Sequence, residues 1–274
     1  MKIFIVGLGL IGASYAEGLK EKGHRVYGYD QDKTTMAKAK VQNIIEKDTS
    51  INDIETADLV IIALYPEATI AFLKAHQHRF NKSQTLSDVC GIKTWLLTEI
   101  ERFLPAQLNY TSHHPMAGKE TPGFDAKDKT LFKDANFLIV KTAKTHKRDL
   151  ERLEHIANDL NFGQISLLTP QKHDALIAYT SQLTHVMASS LILSSKDDDA
   201  IKATGNSFRD LTRIAKIHPP LWSELFLNNK TPLLQAISQF KQALSEIESL
   251  LERDDEAGLK QFLKNAKKRR EFYD

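Results

Sequence analysis

The first thirty residues constrain the fold more than any other part of the chain. An apolar, β-branched run over residues 2–6 leads straight into Gly7-Leu8-Gly9-Leu10-Ile11-Gly12. Residues 13–22 then have the pattern of a helix that stops at Gly23, and residues 25–29 form a second apolar run that ends at Asp30. This order predicts a buried parallel strand, a glycine-rich turn, a helix and a second strand.

Each glycine of this turn has a physical task in binding a dinucleotide. Gly7 permits the tight turn, Gly9 lets a pyrophosphate approach the backbone, and Gly12 lets the helix pack close to the strand. Asp30 can accept hydrogen bonds from an adenosine ribose. A purely structural strand–helix turn is the alternative. We expect the cofactor to contact the whole fingerprint: Gly7, Leu8, Gly9, Leu10, Ile11 and Gly12.

The residues after the second strand favour NAD over NADP. The carboxylate of Asp30 suits a free ribose hydroxyl and repels a 2′-phosphate, and Asp32 adds a second acid. No arginine fork follows. Lys33 offers the alternative of tolerating both cofactors.

The next apolar strand is predicted at residues 58–64, and Pro66 bars it from continuing. In a doubly wound sheet the carboxyl end of this strand faces the dinucleotide. Leu64 and Tyr65 are therefore expected to border the cofactor.

Strands and helices alternate as far as residue 168. Further strands are predicted at residues 84–89, 109–112, 136–141 and 164–168, and helices at 34–42, 67–76, 93–103 and 148–160. This alternation indicates an α/β layer fold with a mainly parallel sheet. The sequence thus predicts a Rossmann-type dinucleotide-binding domain at residues 1–168.

From residue 169 onward only helical periodicity is found. Helices are predicted at residues 173–194, 199–212 and 219–227, then in a segment capped by Thr231 with Pro232 in its first turn, and finally at 255–268. Residues 169–274 are therefore expected to form an all-α domain.

One helix of this domain carries an apolar seam, which consists of Leu234, Ile237, Phe240, Leu244, Ile247 and Leu251. Such a seam needs a partner surface. A homodimer is the prediction, with burial inside one protomer as the alternative.

The bulk composition excludes several classes of protein. A net charge of +2 argues against a dedicated nucleic-acid or membrane surface, and the single cysteine, Cys90, rules out an intramolecular disulfide framework. No apolar stretch is expected to span a membrane, no signal peptide is apparent, and no metal site is expected. A cytoplasmic protein with a small-molecule substrate is predicted.

His113 and His114 follow a predicted strand on the side where a nicotinamide would lie. A histidine there can take a proton from a hydroxyl while the adjacent carbon loses hydride. The alternative is a loop histidine that only stabilises its own turn. Glu120 could orient a cationic histidine or guard an opening, or it could simply be solvated.

Two further candidates lie in the helical region. Ser181 and His185 are four residues apart and share one face of a mostly small or apolar helix, so they either line a cavity or are satisfied within the core. Arg213 is a candidate clamp for a carboxylate, with an intrahelical ion pair to Asp210 as the alternative.

Together these features resemble the family of prephenate, arogenate and cyclohexadienyl dehydrogenases. The matching segments are the fingerprint at residues 7–12, His114-Pro-Met-Ala-Gly-Lys-Glu120, Lys172-His-Asp174, Ser181-Gln-Leu-Thr-His185, and Phe208-Arg-Asp-Leu-Thr-Arg213 with Trp222. The resemblance implies a Rossmann domain, a helical dimerisation domain and an active site between them. It also implies that His114 is catalytic and that Ser181, His185 and Arg213 lie in the substrate site. Glu120, at the end of the second matching segment, is expected to lie in the substrate site as well.

By this resemblance the reaction is the NAD-dependent oxidative decarboxylation of prephenate to 4-hydroxyphenylpyruvate in tyrosine biosynthesis. Three alternatives stay open. The substrate could be arogenate, the protein could be a catalytically idle dinucleotide sensor, or it could oxidise β-hydroxyacids. The last class usually depends on a lysine base in the helical domain, and none is convincingly placed here.

One position departs from the family pattern. Family members often carry a serine that hydrogen-bonds the catalytic histidine, and the corresponding turn here is Cys90-Gly91-Ile92-Lys93. Ser87, Ser112 or a water is expected to take over that contact, unless the hydrogen bond is absent.

Overall fold

The chain is described by a computed structural model that covers residues 1–273. Its strands are β1 (Lys2–Val6), β2 (Arg25–Tyr29), β3 (Leu59–Ile62), β4 (Thr85–Asp88), β5 (Ser112–Pro115), β6 (Asn136–Val140) and β7 (Gln164–Leu168). The first sheet has the order β2-β1-β3-β4, so β1 lies between two parallel neighbours. A second sheet has the order β5-β6-β7.

The register of the first sheet brings its carboxyl ends to one edge. Val6 pairs with both Tyr29 and Ile62, and Ile62 pairs with Asp88. Residues that follow these strands, including the glycine turn and Asp30, are therefore gathered at the same edge. The two sheets are joined by a parallel bridge between Leu86 and Tyr110.

Helices cover both faces of the first sheet. They are α1 (Leu10–Glu21), α2 (Lys33–Val41), α3 (Pro66–His76), α4 (Thr94–Glu101) and α5 (Lys147–Asp159). Alternate residues of β1 pack into two hydrophobic cores, with Ile3 and Ile5 in one and Phe4 and Val6 in the other. Burial on both faces explains why these strands are continuous apolar runs.

The C-terminal third is helical, as predicted. Its elements are α6 (Pro170–Ile177), a π-helical turn (Ala178–Gln182), α7 (Leu183–Ser194), α8 (Asn206–Thr212), α9 (Pro219–Asn228), α10 (Lys230–Glu252) and α11 (Glu256–Glu271). The α/β Rossmann-like fold followed by a helical region is confirmed.

Several predicted boundaries are wrong. Of the strand expected at residues 109–112, Tyr110 forms an isolated bridge and Ser112 is the first residue of β5. The two histidines therefore lie within a strand and not after it. The helix expected at residues 199–212 is a 3₁₀ segment, Asp198–Ala203, followed by α8, because the chain is extended at Gly205. Thr231 lies inside α10 and does not cap it.

The chain forms two compact units, Met1–Asn229 and Lys230–Asp274. The first unit holds both sheets together with α1–α9, and therefore every predicted site residue. The second unit consists of α10 and α11. The predicted division between residues 168 and 169 separates α/β from helical structure, and it stays a prediction.

One helix in the described part of the chain, Pro170–Ser194, is long and apolar enough by length and composition to cross a membrane. The expectation that no apolar stretch is long enough to span a membrane is therefore wrong. Length and composition do not distinguish a membrane span from a core helix. This helix carries the buried polar residues His173, Asp174 and Gln182, each with a hydrogen-bond partner within the first unit.

Candidate active site

The glycine turn after β1 is closed on one side and open on the other. Gly7 has a φ of +84°, and a β-carbon there would lie 2.6 Å from the Ala63 carbonyl oxygen. A β-carbon at Gly12 would overlap the carbonyl oxygen of Gly7. At Gly9, by contrast, a β-carbon would meet no described atom within 4 Å. The turn is thus packed at Gly7 and Gly12, and it leaves room for a ligand beside Gly9.

Backbone donors face this open space. The first intrahelical bond of α1 runs from Ala13 N to Gly9 O, so the N–H groups of Leu10, Ile11 and Gly12 precede the helical ladder. Such groups suit the oxygens of a phosphate. The Leu8 side chain lies fully in the core, so Leu8 can offer a ligand only its backbone.

Asp30 stands at the end of β2 and is held by its neighbours. Its Oδ2 accepts a hydrogen bond from Leu8 N at 2.8 Å, and its Oδ1 accepts one from Asp32 N at 2.9 Å. Each carboxylate oxygen can accept a further bond. Asp30 therefore ties the second strand to the glycine turn and keeps capacity for a ribose hydroxyl.

Leu64 and Tyr65 lie at the same edge, just after β3. The Leu64 side chain would contact a β-carbon at Gly7, which places it against the turn. Tyr65 is 42% exposed, and its ring lies 5.9 Å from that of His218.

The two adjacent histidines of β5 point in opposite directions, because side chains alternate across a strand. His113 is fully buried, with Nδ1 2.7 Å from Ser87 Oγ and Nε2 3.1 Å from the Tyr15 hydroxyl. Burial lowers the pKa of His113 to about 3. His113 is a core residue, and His114 is left as the histidine that faces the site.

His114 begins a chain of hydrogen bonds. Its Nδ1 lies 3.0 Å from His173 Nε2, and His173 Nδ1 lies 2.8 Å from Asp174 Oδ1. Asp174 in turn accepts backbone hydrogen bonds from Lys93 N at 2.9 Å and Thr94 N at 2.7 Å, at the start of α4. A carboxylate bound to the amino end of a helix is well stabilised.

The environment favours the neutral form of both imidazoles in this hydrogen-bond chain, those of His114 and His173. Burial lowers the pKa of His114 well below its ordinary value, and the neighbouring His173 lowers it further. The pKa of His173 is also lowered by burial, although its hydrogen bond to Asp174 opposes the shift. A neutral imidazole has one nitrogen able to accept a proton, which general-base chemistry requires.

Ser87 and Ser112, the two side chains expected to replace the family serine, do not contact His114. Ser87 bonds His113 and the Thr111 carbonyl oxygen, and Ser112 bonds Asp88, so neither of them reaches His114. The described partner of His114 is His173. A β-carbon at Gly91 would lie 3.8 Å from His114 Nε2, so the Nε2 edge of the ring faces the glycine.

A buried ion pair lies beneath this region. Lys93 is fully buried, and its Nζ donates to Asp88 Oδ1 and to the His113 carbonyl oxygen, both at 2.7 Å. Asp88 also accepts from the Tyr110 hydroxyl at 2.9 Å. Lys93 thus holds β4 and β5 together and supplies a backbone donor to Asp174.

A second cluster forms around Arg213, which pairs with Glu120 and not with Asp210. His185 stacks on Trp222 with a centroid separation of 3.6 Å, and its Nδ1 lies 2.9 Å from the Ser181 carbonyl oxygen. Burial lowers the pKa of His185, and Arg213 lowers it further. Glu120 is bound to one side of this cluster through Arg213.

Helix α9 contacts both clusters. Trp222 stacks on His185, and Leu225, three residues along the helix, would lie 3.6 Å from a β-carbon at Gly91. Gln182, from the π-helical turn, donates to the Leu225 carbonyl oxygen at 3.0 Å. One helix therefore links the surroundings of His114 to those of His185 and Arg213.

Three residues of this region received no role from the sequence. His173 and Asp174 belong to a matching family segment, but their partners His114 and Thr94 lie 59 and 80 residues away along the chain. Lys93 belongs to the turn that departs from the family pattern, and its partner Asp88 lies five residues before it, at the end of β4. Two adjacent ionisable residues at the start of an apolar helix were the available signal.

Outside this region, His24, His155 and Asp159 place potential metal ligands within 4.8 Å of one another. His24 Nε2 lies 2.7 Å from Asp159 Oδ2, and His155 Nε2 lies 3.4 Å from the same oxygen. The two histidines thus share one carboxylate oxygen, to which His24 is hydrogen-bonded.

Comparison with known proteins gives a consistent family. Residues 15–174 match the nucleotide-binding domain of prephenate dehydrogenase, and residues 169–265 match its dimerization domain. A prephenate dehydrogenase of Bacillus subtilis is 29% identical over 97% of this chain and 74% of its own length.

Solved structures agree over the whole chain. A prephenate dehydrogenase of A. aeolicus, in complex with hydroxyphenyl propionate and NAD⁺, superposes with a TM-score of 0.89 at 28% identity, covering 100% of this chain and 98% of the other. An arogenate dehydrogenase of Synechocystis gives a TM-score of 0.85 at 26% identity and covers both chains completely. The two family domains span residues 15–265, and on this evidence the chain belongs to the prephenate dehydrogenase family of oxidoreductases.

Proposed function

We propose that this protein is an NAD-dependent prephenate dehydrogenase, which converts prephenate to 4-hydroxyphenylpyruvate and CO₂ in tyrosine biosynthesis in the cytoplasm. The observation that carries the proposal is the neutral, half-buried imidazole of His114, whose Nε2 edge faces Gly91 beside α9. Family membership supports the reaction class.

The glycine turn fits a dinucleotide. The open space at Gly9 and the free N–H groups of α1 suit a pyrophosphate, and Asp30 suits a ribose with a free 2′-hydroxyl. Leu64 and Tyr65 would border the bound cofactor. When bound, NAD supplies the hydride acceptor. The NAD⁺ complex of the A. aeolicus relative supports this choice of cofactor.

His114 would act as the general base on the substrate ring. Its Nε2 takes the proton of the ring hydroxyl as the C–H bond at the same carbon is oxidised. The C–C bond to the ring carboxylate then breaks, CO₂ leaves, and the electron pair of that bond completes the aromatic ring. The proton returns from His114 to the phenol oxygen. Because aromatisation is strongly downhill, the protein mainly positions the substrate and excludes water.

Arg213 and His185 would hold the carboxylate of the side chain, with Ser181 beside them. Arg213 is 64% exposed at its side chain and pairs with Glu120, so a substrate carboxylate can compete for the guanidinium. A guanidinium binds carboxylates as a two-pronged donor. Glu120 would then close one side of the site.

The enzyme would work as a homodimer. The seam on α10 is poorly covered within the chain, with Leu234, Leu244 and Leu251 at 54%, 49% and 59% exposure. A row of exposed leucines on one helix is the signature of an interface. The match to the family's dimerization domain supports the assembly.

Arogenate is the second candidate substrate, because the Synechocystis relative of similar fold is an arogenate dehydrogenase. The deciding experiment compares NAD⁺ reduction by the full-length protein with prephenate and with arogenate, each repeated with NADP⁺. We expect prephenate-dependent formation of NADH together with 4-hydroxyphenylpyruvate. Turnover of arogenate alone would replace the proposed substrate, and no reduction with either would leave a non-catalytic nucleotide-binding protein.

A further inference from the structure

The hydrogen-bond chain behind His114 has a defined direction. Asp174 Oδ1 accepts a hydrogen bond from the Lys93 backbone N–H, as Oδ2 does from that of Thr94, so the carboxylate is held as an acceptor. His173 Nδ1, 2.8 Å from Asp174 Oδ1, must therefore carry a proton and donate it.

The protonation of the next ring, that of His114, is fixed in the same way. A neutral imidazole protonated on Nδ1 has its lone pair on Nε2. His173 Nε2 is therefore an acceptor, and His114 Nδ1, 3.0 Å away, must be the donor. This leaves the lone pair of His114 on Nε2, the nitrogen at the edge that faces Gly91.

We propose that His173, held by Asp174, is a positioning residue that fixes the tautomer and the ring orientation of His114. His173 acts at Nδ1 of the His114 ring, whereas position 91 lies beside Nε2. The inference rests on the proposed role of His114 as the general base. A base with the wrong tautomer presents an N–H to the substrate hydroxyl and cannot accept its proton.

The surroundings make His173 rigid enough for this task. The residue is fully buried, and Asp174 is fixed by two backbone donors of α4. Asn229 also donates from Nδ2 to the Asp174 backbone carbonyl oxygen at 3.0 Å. The Asp174 carboxylate lies two hydrogen bonds from His114 and would stabilise the positive charge that develops there during proton transfer.

Two substitutions of His173 separate positioning from simple packing. His173→Phe keeps an aromatic ring in the core but removes both hydrogen bonds. His173→Gln offers an amide oxygen to His114 Nδ1–H and an amide N–H to Asp174, so it preserves the direction of the chain. The control is His78→Gln at an exposed histidine in a 3₁₀ turn.

We expect His173→Phe to lower kcat by about 10–100-fold with little change in KM for either substrate, as for other residues that orient a catalytic ligand through a hydrogen bond. His173→Gln should recover most of kcat, and His78→Gln should match the wild type. Folding of each variant is checked by circular dichroism and thermal unfolding. A folded His173→Phe enzyme with wild-type kcat, or a His173→Gln enzyme no better than a folded His173→Phe enzyme, would overturn the proposal.

Nitrogen NMR of histidine-labelled full-length protein tests the same claim without any substrate. The His114 signal, assigned by its loss in His114→Gln, should show a protonated Nδ1 and an unprotonated Nε2 in the wild type and in His173→Gln. That preference should weaken in His173→Phe. A wild-type His114 protonated on Nε2 refutes the inference whether or not the protein turns over prephenate, and absent turnover with the expected tautomer refutes only the proposed function.

Discussion

His113 and His114 are neighbours in sequence, but they lie in different environments because β5 turns alternate side chains to opposite faces. The sequence was sufficient to single out His114, since the family segment begins there. It could not assign a role to His173, because that residue reaches His114 only after α6 has packed against the start of α4. A contact between two residues that are 59 positions apart is set by tertiary structure and leaves no local pattern in the sequence.

Substitution of Arg213 should weaken substrate binding with little effect on the rate of the chemical step. Arg213→Ala removes a carboxylate contact that substrate and transition state share, so we expect KM for prephenate to rise about 10-fold or more while kcat stays within a few-fold. Steady-state kinetics at saturating NAD⁺ measure both constants.

The matched control for Arg213 is Arg102→Ala, which removes another exposed arginine paired with a glutamate, here Glu99. This variant should leave both constants unchanged. If Arg213→Ala kept a wild-type KM, or lost kcat alone, its assignment to the substrate carboxylate would be wrong.

At the scale of the element, the glycine turn predicts a contrast between two alanine substitutions. Gly12→Ala forces a β-carbon onto the Gly7 carbonyl oxygen, so it should lower the free energy of unfolding by about 1–3 kcal/mol. Gly9→Ala meets no described atom and should leave stability unchanged. It should nevertheless raise the Kd for NAD⁺ about 10-fold or more, or about 1.4 kcal/mol, because the new methyl group occupies the space for the pyrophosphate.

Urea unfolding and NAD⁺ titration of both variants test this contrast. A destabilised Gly9→Ala protein would mean that the turn is closed on that side as well. Unchanged NAD⁺ affinity in Gly9→Ala would show that the dinucleotide does not bind at this turn.

The sequence predicted the elements that are governed by local patterns better than those governed by tertiary contacts. β1, β2 and β7 have the predicted bounds, because each is an apolar run with glycine or polar residues at its ends. β5 was placed too early because its residues, Ser-His-His-Pro, have no strand pattern of their own and pair with β6 only in the folded sheet. The π-helical turn at Ala178–Gln182 likewise left no signal in a continuous helical periodicity.

At the scale of the whole molecule, buried neutral histidines should make stability depend on pH. The folded-state pKa of His113, about 3, lies below that of an unfolded histidine, so on acidification the unfolded chain binds the proton first. Stability is therefore lost as the pH falls below the unfolded value. For His113 alone the loss is about 2 kcal/mol between roughly pH 7 and pH 5. His114 and His173, with lowered pKa values, act in the same direction.

Urea unfolding at the two pH values measures this loss. His113→Phe should show a smaller pH dependence than the wild type, whatever its stability at neutral pH. An equal pH dependence in the two proteins would mean that His113 has the same pKa in the folded and unfolded states.

The assembly makes a separate prediction. Leu244→Asp places a charge in the middle of the α10 seam, so a protein that is dimeric through this seam should become monomeric in light scattering at micromolar concentration. Leu263→Asp, at a comparably exposed leucine of α11 outside the seam, is the control. A dimeric Leu244→Asp protein would locate the interface elsewhere.

The fold class followed from the sequence because alternating strands and helices leave few possible architectures. The site was only partly accessible. The fingerprint and His114 could be named from motifs, whereas the Lys93–Asp88 ion pair and the His114–His173–Asp174 chain depend on which buried groups meet in the folded protein.

The central claim is that His114 accepts the proton of the substrate hydroxyl. The most direct test is the turnover of prephenate by His114→Gln, measured as NADH formation, together with the Kd for NAD⁺ from titration of the same protein. We predict that kcat falls by about 10²–10⁴-fold, the usual contribution of a general base, while the Kd for NAD⁺ stays within about two-fold of the wild type. A folded His114→Gln enzyme that keeps wild-type turnover would contradict the account.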